Sequence, residues 1–291
     1  MKHELNIWVV GGDLRQAKLA QLLAEDGHTV HIYALGEPQE QIPGLTAEPS
    51  LRQTGLADCV VLPLTISDEN GLLNAPLSPS SHPLIPILDC LSPRQFVCGG
   101  RVNQPILDLA EERGLTIHDY FAREELAVAN AVPTAEGAVQ LAMEHLPITI
   151  HGSKILVIGF GRVGRLTAQR FQALGARVSI AARKYDQLAW AQAIGFGAEH
   201  LAQLKGWLCG YDLIVNTVPV QVLGQEELED LKPDCLILDL ASKPGGVDLA
   251  AAGGLGLTVI WALGLPGKVA PVTAGAAIKS TIYNMLREIG L

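Results

Sequence analysis

The sequence lacks a paired set of cysteines, and this absence excludes two common ways of stabilising a small fold. Its five cysteines are scattered along the chain, are odd in number and form no C-x-x-C pair. Neither a disulfide framework nor a zinc site is therefore expected, and no metal is assigned to this protein. A reducing cytoplasm is the compartment that fits this cysteine usage best.

An excess of basic residues is also absent, because the formal net charge is −9. Nucleic-acid binding needs clustered Lys and Arg side chains to neutralise phosphates, so a nucleic-acid partner is not expected. A small metabolite is the favoured class of ligand. If that metabolite is an anion, individual Arg and Lys residues near glycine turns must hold it.

No hydrophobic run is long enough to suggest a membrane protein. The apolar stretch at residues 7–10 is too short for a signal peptide. The most apolar later segment, residues 249–265, is interrupted by glycines, and its apolar core at residues 257–263 has the length of a buried strand. We therefore expect no membrane span.

The length of 291 residues favours two domains, and the 30 glycines with 48% apolar residues are typical of α/β proteins. Residues 5–34 read as strand, glycine turn, helix and strand, which is one βαβ unit. Further apolar runs continue this alternation at residues 59–64, 84–88, 96–98 and 115–118. The pattern predicts a Rossmann-like domain over residues 1–130, which we assign to substrate binding.

The second half predicts another domain of the same class. A connecting helix is expected over residues 131–150, with Thr134 as its N-cap, and the strand and helix alternation then restarts over residues 151–273. Residues 274–291 form an amphipathic helix that we expect to pack back on the first domain, although the pattern equally allows packing on the second. The predicted fold is α/β, with two doubly wound parallel-sheet domains and a cleft between them.

The strongest motif follows a four-residue apolar strand and opens a helix, which is the context that makes a G-x-G-x-x-G string informative. It reads Gly159-Phe160-Gly161-Arg162-Val163-Gly164. The first glycine allows a tight turn, the second lets the backbone approach a pyrophosphate, and the third lets helix and strand pack closely. The helix N-terminus would then face the phosphates, so we predict a dinucleotide site built by residues 159–164.

The next strand of this domain indicates which dinucleotide is bound. NAD enzymes usually carry Asp or Glu at the end of that strand to bind the ribose 2′-hydroxyl. Here the strand runs into Arg183 and Lys184, which could hold a 2′-phosphate instead. The sequence therefore predicts NADP(H).

Two further strand exits would lie at the edge of the sheet that holds the cofactor. Thr217, Val218 and Pro219 follow one strand and are assigned to cofactor binding, while residues 239–246 follow another. In the first domain, the glycine turn at residues 11–12 is followed by Asp13, an acid where a pyrophosphate would sit. A second dinucleotide is therefore not expected there, whereas Arg15 could pair with a substrate carboxylate or lie in solvent.

Taken together, these motifs resemble one known family over nearly the whole chain: the A subunits of dipicolinate synthase. The resemblance rests on residues 11–16, 130–137, 159–164, 216–219, 239–246 and 265–271. It implies a layout like that of the 2-hydroxyacid and alanine dehydrogenases. It also implies oxidation of a dihydrodipicolinate-type precursor to pyridine-2,6-dicarboxylate with NADP⁺, a partner in the form of a flavoprotein-like B subunit, and a role in spore formation.

A dicarboxylate substrate calls for cations and hydroxyl groups in the cleft, and the reaction needs a base for one proton. The substrate-binding candidates are Arg15, Thr134, Ser242, Lys243 and Thr273. Lys243 and Glu136 are both candidates for the base, and the sequence does not decide between them. His118, His145 and His151 are more typical of surface or core histidines than of catalysts.

Two other functions stay open. The first is an NADP-dependent dehydrogenase of 2-hydroxy or 2-oxo acids, although no histidine follows the turn at residues 245–246 at a suitable place for that chemistry. The second is a non-catalytic NADP-binding subunit that supports a catalytic partner. Formation of a homo-oligomer is also possible.

Overall fold

The computed structural model describes residues 4–37 and 42–291. The chain divides into two compact units, with Met1–Asn130 and Ala270–Leu291 in unit 1 and Ala131–Val269 in unit 2. Each unit contains one six-stranded parallel sheet, so the predicted α/β class with two Rossmann-like domains is confirmed.

Unit 1 has the strand order β3-β2-β1-β4-β5-β6. Its strands are β1 (Asn6–Val10), β2 (Thr29–Tyr33), β3 (Leu45–Ala47), β4 (Cys59–Leu64), β5 (Phe96–Gly100) and β6 (Ile117–Asp119). Its helices are α1 (Leu14–Glu25), α2 (Leu84–Leu88), α3 (Gln104–Glu111), the beginning of α4 (Glu124–His145) and α10 (Pro271–Glu288). The predicted alternation therefore holds, except that the apolar run at residues 84–88 is a helix.

That run shows why short apolar segments are ambiguous. Leu84, Ile87 and Leu88 are buried, and this spacing of three and four residues suits one face of a helix. Five apolar residues are too few for periodicity alone to separate a helix from a strand. The local conformation follows from which positions the rest of the unit buries.

Unit 2 has the order β12-β11-β10-β7-β8-β9, which is the same topology. Its strands are β7 (Lys154–Ile158), β8 (Arg177–Ala182), β9 (Gly197–His200), β10 (Leu213–Asn216), β11 (Leu236–Asp239) and β12 (Thr258–Trp261). Its helices are the rest of α4, then α5 (Arg162–Ala173), α6 (Tyr185–Ala193), α7 (Gln225–Glu229), α8 (Leu249–Gly254) and α9 (Leu265–Val269). The order changes direction between β7 and β10, where ligands bind at the carboxyl ends of such sheets.

Helix α4 corrects the predicted connecting helix. It begins at Glu124 and ends at His145, so Thr134 lies in its interior and is not its N-cap. Pro133 is inside the helix, although a proline removes a backbone donor and normally favours the first turn. The helix continues because it buries a stripe of small side chains, whose tight packing outweighs the local preference. These are Ala131, Ala135, Ala138 and Ala142.

The last helix belongs to unit 1. Ile278, Ile282 and Leu286 of α10 are fully buried in the same core cluster as Leu19 and Leu23 of α1. The two helices approach so closely that a Cβ atom on Gly275 would lie 2.9 Å from the carbonyl oxygen of Arg15. In the part of the chain that the structure describes, no helix combines the length and the hydropathy needed to cross a membrane.

Candidate functional site

The turn after β7 has a conformation that requires glycine at its first position. Gly159 has a φ of +98°, in the left-handed region, and its N–H donates to the carbonyl of Ala181 at 2.8 Å. A Cβ atom there would collide with the hydroxyl of Thr217, which itself donates to the carbonyl of Ile158 at 2.8 Å. The turn is thus fixed to the ends of both neighbouring strands.

The other two glycines of the motif have different roles. A Cβ atom on Gly164 would overlap the carbonyl oxygen of Gly159, so this glycine permits close packing of α5 on the turn. At Gly161 a Cβ atom would meet nothing within 4 Å. Space next to the backbone is therefore open at the position where the motif places a pyrophosphate.

The N-terminus of α5 is open in the same sense. Its N-cap is Gly161, no side chain caps it, and its first turn contains no acidic residue. The first N–H groups of a helix have no partners within the helix, and the helix dipole places partial positive charge there. This arrangement fits the diphosphate of a dinucleotide.

Arg165 and Phe160 fix the middle of the turn. The Nε of Arg165 donates to the carbonyl of Phe160 at 3.1 Å, and its guanidinium lies 4.9 Å from the centre of the Phe160 ring. The Phe160 side chain is buried in the core of unit 2, so only its backbone is available to a cofactor. Arg162 is exposed and Val163 is half-buried at the start of the helix.

The end of β8 carries cations and no acid. Arg183 and Lys184 directly follow the last strand residue, Ala182, and both side chains are exposed. The backbone of Arg183 is held because the Nε2 of His200 donates to its carbonyl at 3.1 Å. The ring of Tyr185 stacks on His200 with a centroid distance of 5.1 Å. These features hold two cations where a dinucleotide places its adenosine ribose.

A buried polar pair joins the ends of β10 and β11. Asn216 and Asp239 are register partners on these strands, and the amide of Asn216 donates to the Asp239 carboxyl at 2.8 Å. The Asn216 side chain also donates to the carbonyl of Val218 and accepts from the Val218 N–H, both at 3.0 Å. Both polar residues are almost inaccessible to solvent. The pair therefore fixes the backbone of the loop after β10.

The same carboxyl group holds the loop after β11. Asp239 accepts from the N–H of Ala241 at 3.0 Å and from that of Gly246 at 2.8 Å. The indole N–H of Trp261 donates to the carbonyl of Ala241 at 2.9 Å. A Cβ atom on Gly246 would collide with the Asn216 amide, so the two loops contact each other directly. One buried acid thus organises this edge of the sheet.

The residues predicted on these two loops all lie at the carboxyl edge of the unit 2 sheet. Thr217 uses its hydroxyl on the strand next to it, Val218 is half-buried, and Pro219 is exposed. Ser242 and Lys243 are exposed on the loop that Asp239 holds. Sequence reasoning assigned the loops but not the Asn216 and Asp239 pair that fixes them. The signal was present, since each is a polar residue ending a buried apolar strand.

Glu136 and Thr134 lie on α4, within unit 2. The carboxylate of Glu136 is 3.8 Å from Nε of Arg170, and its side chain is 58% exposed. Arg170 lies in the last turn of α5, about 12 Å along the helix from its first residue at a rise of 1.5 Å per residue. Glu136 is therefore placed toward the end of α5 that points away from the proposed phosphate position. Thr134 is half-buried.

Arg15 is already engaged in unit 1. Its Nε lies 3.0 Å from one oxygen of Asp13, and its Nη2 lies 2.6 Å from the other. Its Nη2 also approaches the carbonyl of Leu64 at 3.4 Å. One edge of the guanidinium is thus taken by Asp13. A bidentate contact with a substrate carboxylate would have to use the remaining edge.

Thr273 lies at the same end of the α1 and α10 pair. It is exposed in the first turn of α10, two residues before the glycine that packs on the Arg15 backbone. The structure thus brings Arg15 and Thr273 onto neighbouring helices of unit 1. Thr134, Ser242 and Lys243 belong to unit 2.

Comparisons with known proteins follow the same division of the chain. Residues 6–121 match the N-terminal domain of the dipicolinate synthase A subunit, and residues 124–243 match the NAD-binding domain of D-isomer-specific 2-hydroxyacid dehydrogenases. The second match covers the glycine turn, the cationic end of β8 and both strand exits that Asp239 joins. It supports a nicotinamide cofactor without distinguishing NADP from NAD.

Whole-chain relatives agree with these domain matches. The A subunit of dipicolinate synthase from Bacillus subtilis (strain 168) is 33% identical over 290 residues, covering 98% of this chain and 97% of the relative. The crystal structure of dipicolinate synthase from B. subtilis has a TM-score of 0.86 at 33% identity and covers 98% of this chain and 96% of that one. The crystal structure of the B. halodurans A subunit has a TM-score of 0.85 at 29% identity, covering 97% and 98%.

The fold and the open glycine turn define a dehydrogenase-type protein with a nicotinamide-dinucleotide-binding domain. Its N-terminal unit carries a family-specific domain rather than a second dinucleotide motif. The chain belongs to the family of dipicolinate synthase A subunits. The resemblance inferred from the sequence motifs is therefore confirmed.

Proposed function

We propose that this protein oxidises a dihydrodipicolinate-type precursor to pyridine-2,6-dicarboxylate with NADP⁺. The observation that carries the proposal is the uncapped N-terminus of α5, with open space beside Gly161. The names of the relatives support the product, since the B. subtilis protein is one subunit of a dipicolinate synthase. The glycine turn supports a dinucleotide in the redox role.

The proposed reaction removes one hydride and one proton from a partly reduced ring. When bound, the oxidised nicotinamide accepts the hydride. Formation of the aromatic ring supplies much of the driving force, so the residues mainly orient the substrate and take up the proton. Arg15 and Thr273 in unit 1, and Thr134, Ser242 and Lys243 in unit 2, are the groups that we assign to holding its carboxylates.

For the proton acceptor we favour Lys243 over Glu136. Lys243 lies on the loop that the buried Asp239 fixes at the carboxyl edge of the sheet. Glu136 is paired with Arg170 near the other end of α5. A base must reach the proton that it removes, and only the loop position lies at the edge where the nicotinamide half of a dinucleotide binds.

We propose NADP rather than NAD because of the end of β8. Two exposed cations, Arg183 and Lys184, stand where an acid would repel a 2′-phosphate. In the double variant Arg183→Ala and Lys184→Ala, NADP⁺ affinity should fall at least tenfold, while NAD⁺ affinity should change less than twofold. Lys205→Ala, which removes an exposed cation of another loop, is the control. Equal losses for both dinucleotides in a calorimetric titration would refute the phosphate pocket.

The letter in the name of the B. subtilis relative supports the existence of a second polypeptide in the enzyme. We propose that a flavoprotein-like B subunit is the partner. The isolated chain should still bind NADP⁺, because the whole glycine turn and its supporting strands belong to unit 2. The partner would then affect turnover rather than dinucleotide affinity.

The test is direct turnover of the full chain, with and without the B subunit. The chain is mixed with NADP⁺ and freshly made dihydrodipicolinate, and NADPH and pyridine-2,6-dicarboxylate are both quantified against a protein-free control. Equimolar formation of the two products is expected, with Lys243→Met lowering kcat at least a hundredfold and Glu136→Gln less than threefold. Turnover of 2-hydroxy acids in place of the precursor, or none in either arm despite NADP⁺ binding, would overturn the proposal.

A further inference from the structure

Unit 2 has a cavity of about 510 Å³ at the opposite edge of its sheet from the glycine turn. The cavity is lined by the amino ends of β7 and β8, by the start of β9 and by the segment that leads into β10. Lys154 begins β7, and four residue steps of about 3.3 Å separate it from Ile158, which precedes the turn. The cavity is therefore about 13 Å from the proposed dinucleotide position.

Two cations lie side by side on the wall of this cavity. Lys154 and Arg177 are register partners on neighbouring parallel strands, and both are exposed. Like charges on paired strand positions repel each other. Among the described residues, no hydrogen bond or ion pair of the Arg177 guanidinium is found, so an anion between the two side chains would be stabilised by both.

The nearest carboxylate does not serve this purpose well, because other groups already use it. Asp212 accepts from the backbone N–H of Lys154 at 2.7 Å and pairs with the ammonium of Lys232. Burial would raise the pKa of the Asp212 carboxyl, but these two hydrogen bonds lower it below its usual value. A ligand with its own negative charge would therefore add to the neutralisation of Lys154 and Arg177.

The other wall of the cavity is aromatic. Trp207 lines it with 71% of its surface exposed, and Tyr211 lines it a few residues later. The floor is shaped by Gly197, where a Cβ atom would lie 2.5 Å from the hydroxyl oxygen of Ser179. An exposed indole beside paired cations offers a ring face for stacking and a charge pair for a carboxylate. The volume lies within the usual range for small-molecule sites.

We propose that this cavity is a second ligand site that binds a planar aromatic carboxylate. The ring would stack on Trp207, and the carboxylate would lie between Lys154 and Arg177. The site does not depend on the proposed oxidation, since it lies at the other edge of the sheet. If the ligand is the pyridine dicarboxylate product, the site gives the protein a means of sensing that product.

The test uses pyridine-2,6-dicarboxylate in the presence of a chelator, with the full chain. Titration should quench tryptophan fluorescence saturably, and the quenching should disappear in Trp207→Phe but persist in Trp190→Phe, which changes an exposed tryptophan of α6. Calorimetry should show at least tenfold weaker binding at this site in the double variant Lys154→Gln and Arg177→Gln. Lys205→Gln, on the same segment as Trp207, should leave the affinity unchanged.

Two further ligands separate the contributions of ring and charge. Cyclohexane-1,3-dicarboxylate keeps both carboxylates without an aromatic ring and should bind at least tenfold more weakly, while uncharged pyridine should not bind. Quenching that is absent in the wild type, or an affinity unchanged in the double variant, would refute the site. Equal binding of the saturated ring would refute its aromatic character. Turnover without added product should be unaffected by these variants, so failure here is distinct from failure of the proposed oxidation.

Discussion

The glycine turns of the two units can be compared residue by residue. In each unit a buried first strand leads through glycines into a helix of 12 residues. In unit 1 the N-cap is Asp13, whose carboxyl accepts from the N–H of Arg15 at 2.9 Å and pairs with the Arg15 guanidinium. In unit 2 the N-cap is Gly161, which provides no such group. The same topology thus has its helix N-terminus satisfied internally in one unit and open in the other.

A second difference lies in the space beside each turn. A Cβ atom on Gly12 would lie 2.6 Å from the side chain of Gln16, whereas one on Gly161 would meet nothing within 4 Å. Gln16 is itself buried and hydrogen-bonded to Tyr120 at 3.1 Å. Unit 1 has therefore filled the position that unit 2 leaves free. The comparison indicates that the residue at the N-cap and its neighbours, rather than the topology, decide whether such a unit binds a dinucleotide.

The largest expected effect concerns the acid that organises the open edge of unit 2. Asp239→Leu would leave the Asn216 amide and the N–H groups of Ala241 and Gly246 without their acceptor. Unfolding free energy should fall by about 3 kcal/mol or more. Asp239→Asn, which keeps one acceptor oxygen, should lose about half as much. Denaturant unfolding measures both, and a loss below about 1 kcal/mol for the leucine variant would contradict this role.

The next effect comes from giving unit 2 the N-cap of unit 1. Gly161→Asp should weaken NADP⁺ binding at least a hundredfold, or about 2.7 kcal/mol, because a carboxylate would face the diphosphate. The same change should raise the stability of the free protein by up to about 1 kcal/mol through capping.

Gly161→Asn is the matched control, since asparagine caps a helix without charge. It should keep the gain in stability and lose much less affinity than the aspartate variant. If both variants bind NADP⁺ as the wild type does in a calorimetric titration, the turn does not hold the diphosphate.

The reverse change in unit 1 should have a smaller effect. Asp13→Gly removes the cap of α1 and the partner of Arg15, and should lower the melting stability by about 1 kcal/mol. It should not create dinucleotide binding, because Gln16 still fills the space beside Gly12. Thermal unfolding and an NADP⁺ titration measure the two outcomes. New binding of the dinucleotide would show that the cap alone had excluded it.

The smallest effect concerns pH and distinguishes unit 1 from unit 2 at their amino edges. His28 is buried, and its Nδ1 accepts from the N–H of Leu5 at 3.2 Å, while its Nε2 lies 2.9 Å from the hydroxyl of Tyr283. Burial lowers the pKa of His28, although Asp26 and Glu4 act in the opposite direction and Lys279 adds to the lowering. No histidine among the described residues of unit 2 is buried.

Because the pKa of folded His28 lies below that of the unfolded chain, the unfolded chain takes up the proton more readily. Stability should therefore be full above about pH 6.5 and decline by up to about 1 kcal/mol as the pH falls below that value. His28→Asn keeps an acceptor for Leu5 without titrating, so its stability should vary less between pH 7 and pH 5. Identical pH slopes in the two proteins would exclude the His28 contribution.

The parts of the site that the sequence predicts are those in which one short segment carries its own physical reason. Residues 159–164 and the pair Arg183 and Lys184 are of this kind, since each follows an apolar strand. Asn216 and Asp239 were found on separate motifs, and their contact follows from the register of β10 with β11, which sequence spacing does not contain. The pairing of Arg15 with Asp13 was missed because a helix-start arginine has several available partners.

The boundaries of α4 show another limit. Thr134 after Pro133 has the local pattern of a helix start, but the helix continues through both residues. The alanines that it buries are uninformative in sequence, because alanine occurs equally well on exposed helix faces. Packing against the rest of unit 2 therefore decided the boundary.

The return of α10 to unit 1 has a consequence for the order of assembly during translation. Ile278, Ile282 and Leu286 complete a core whose other members precede residue 131. The ribosome must therefore synthesise all of unit 2 before the hydrophobic interior of unit 1 can close. The unit that emerges first is the one that matures last, so nascent chains hold an unsealed apolar surface for the whole time that the dinucleotide-binding half is being made.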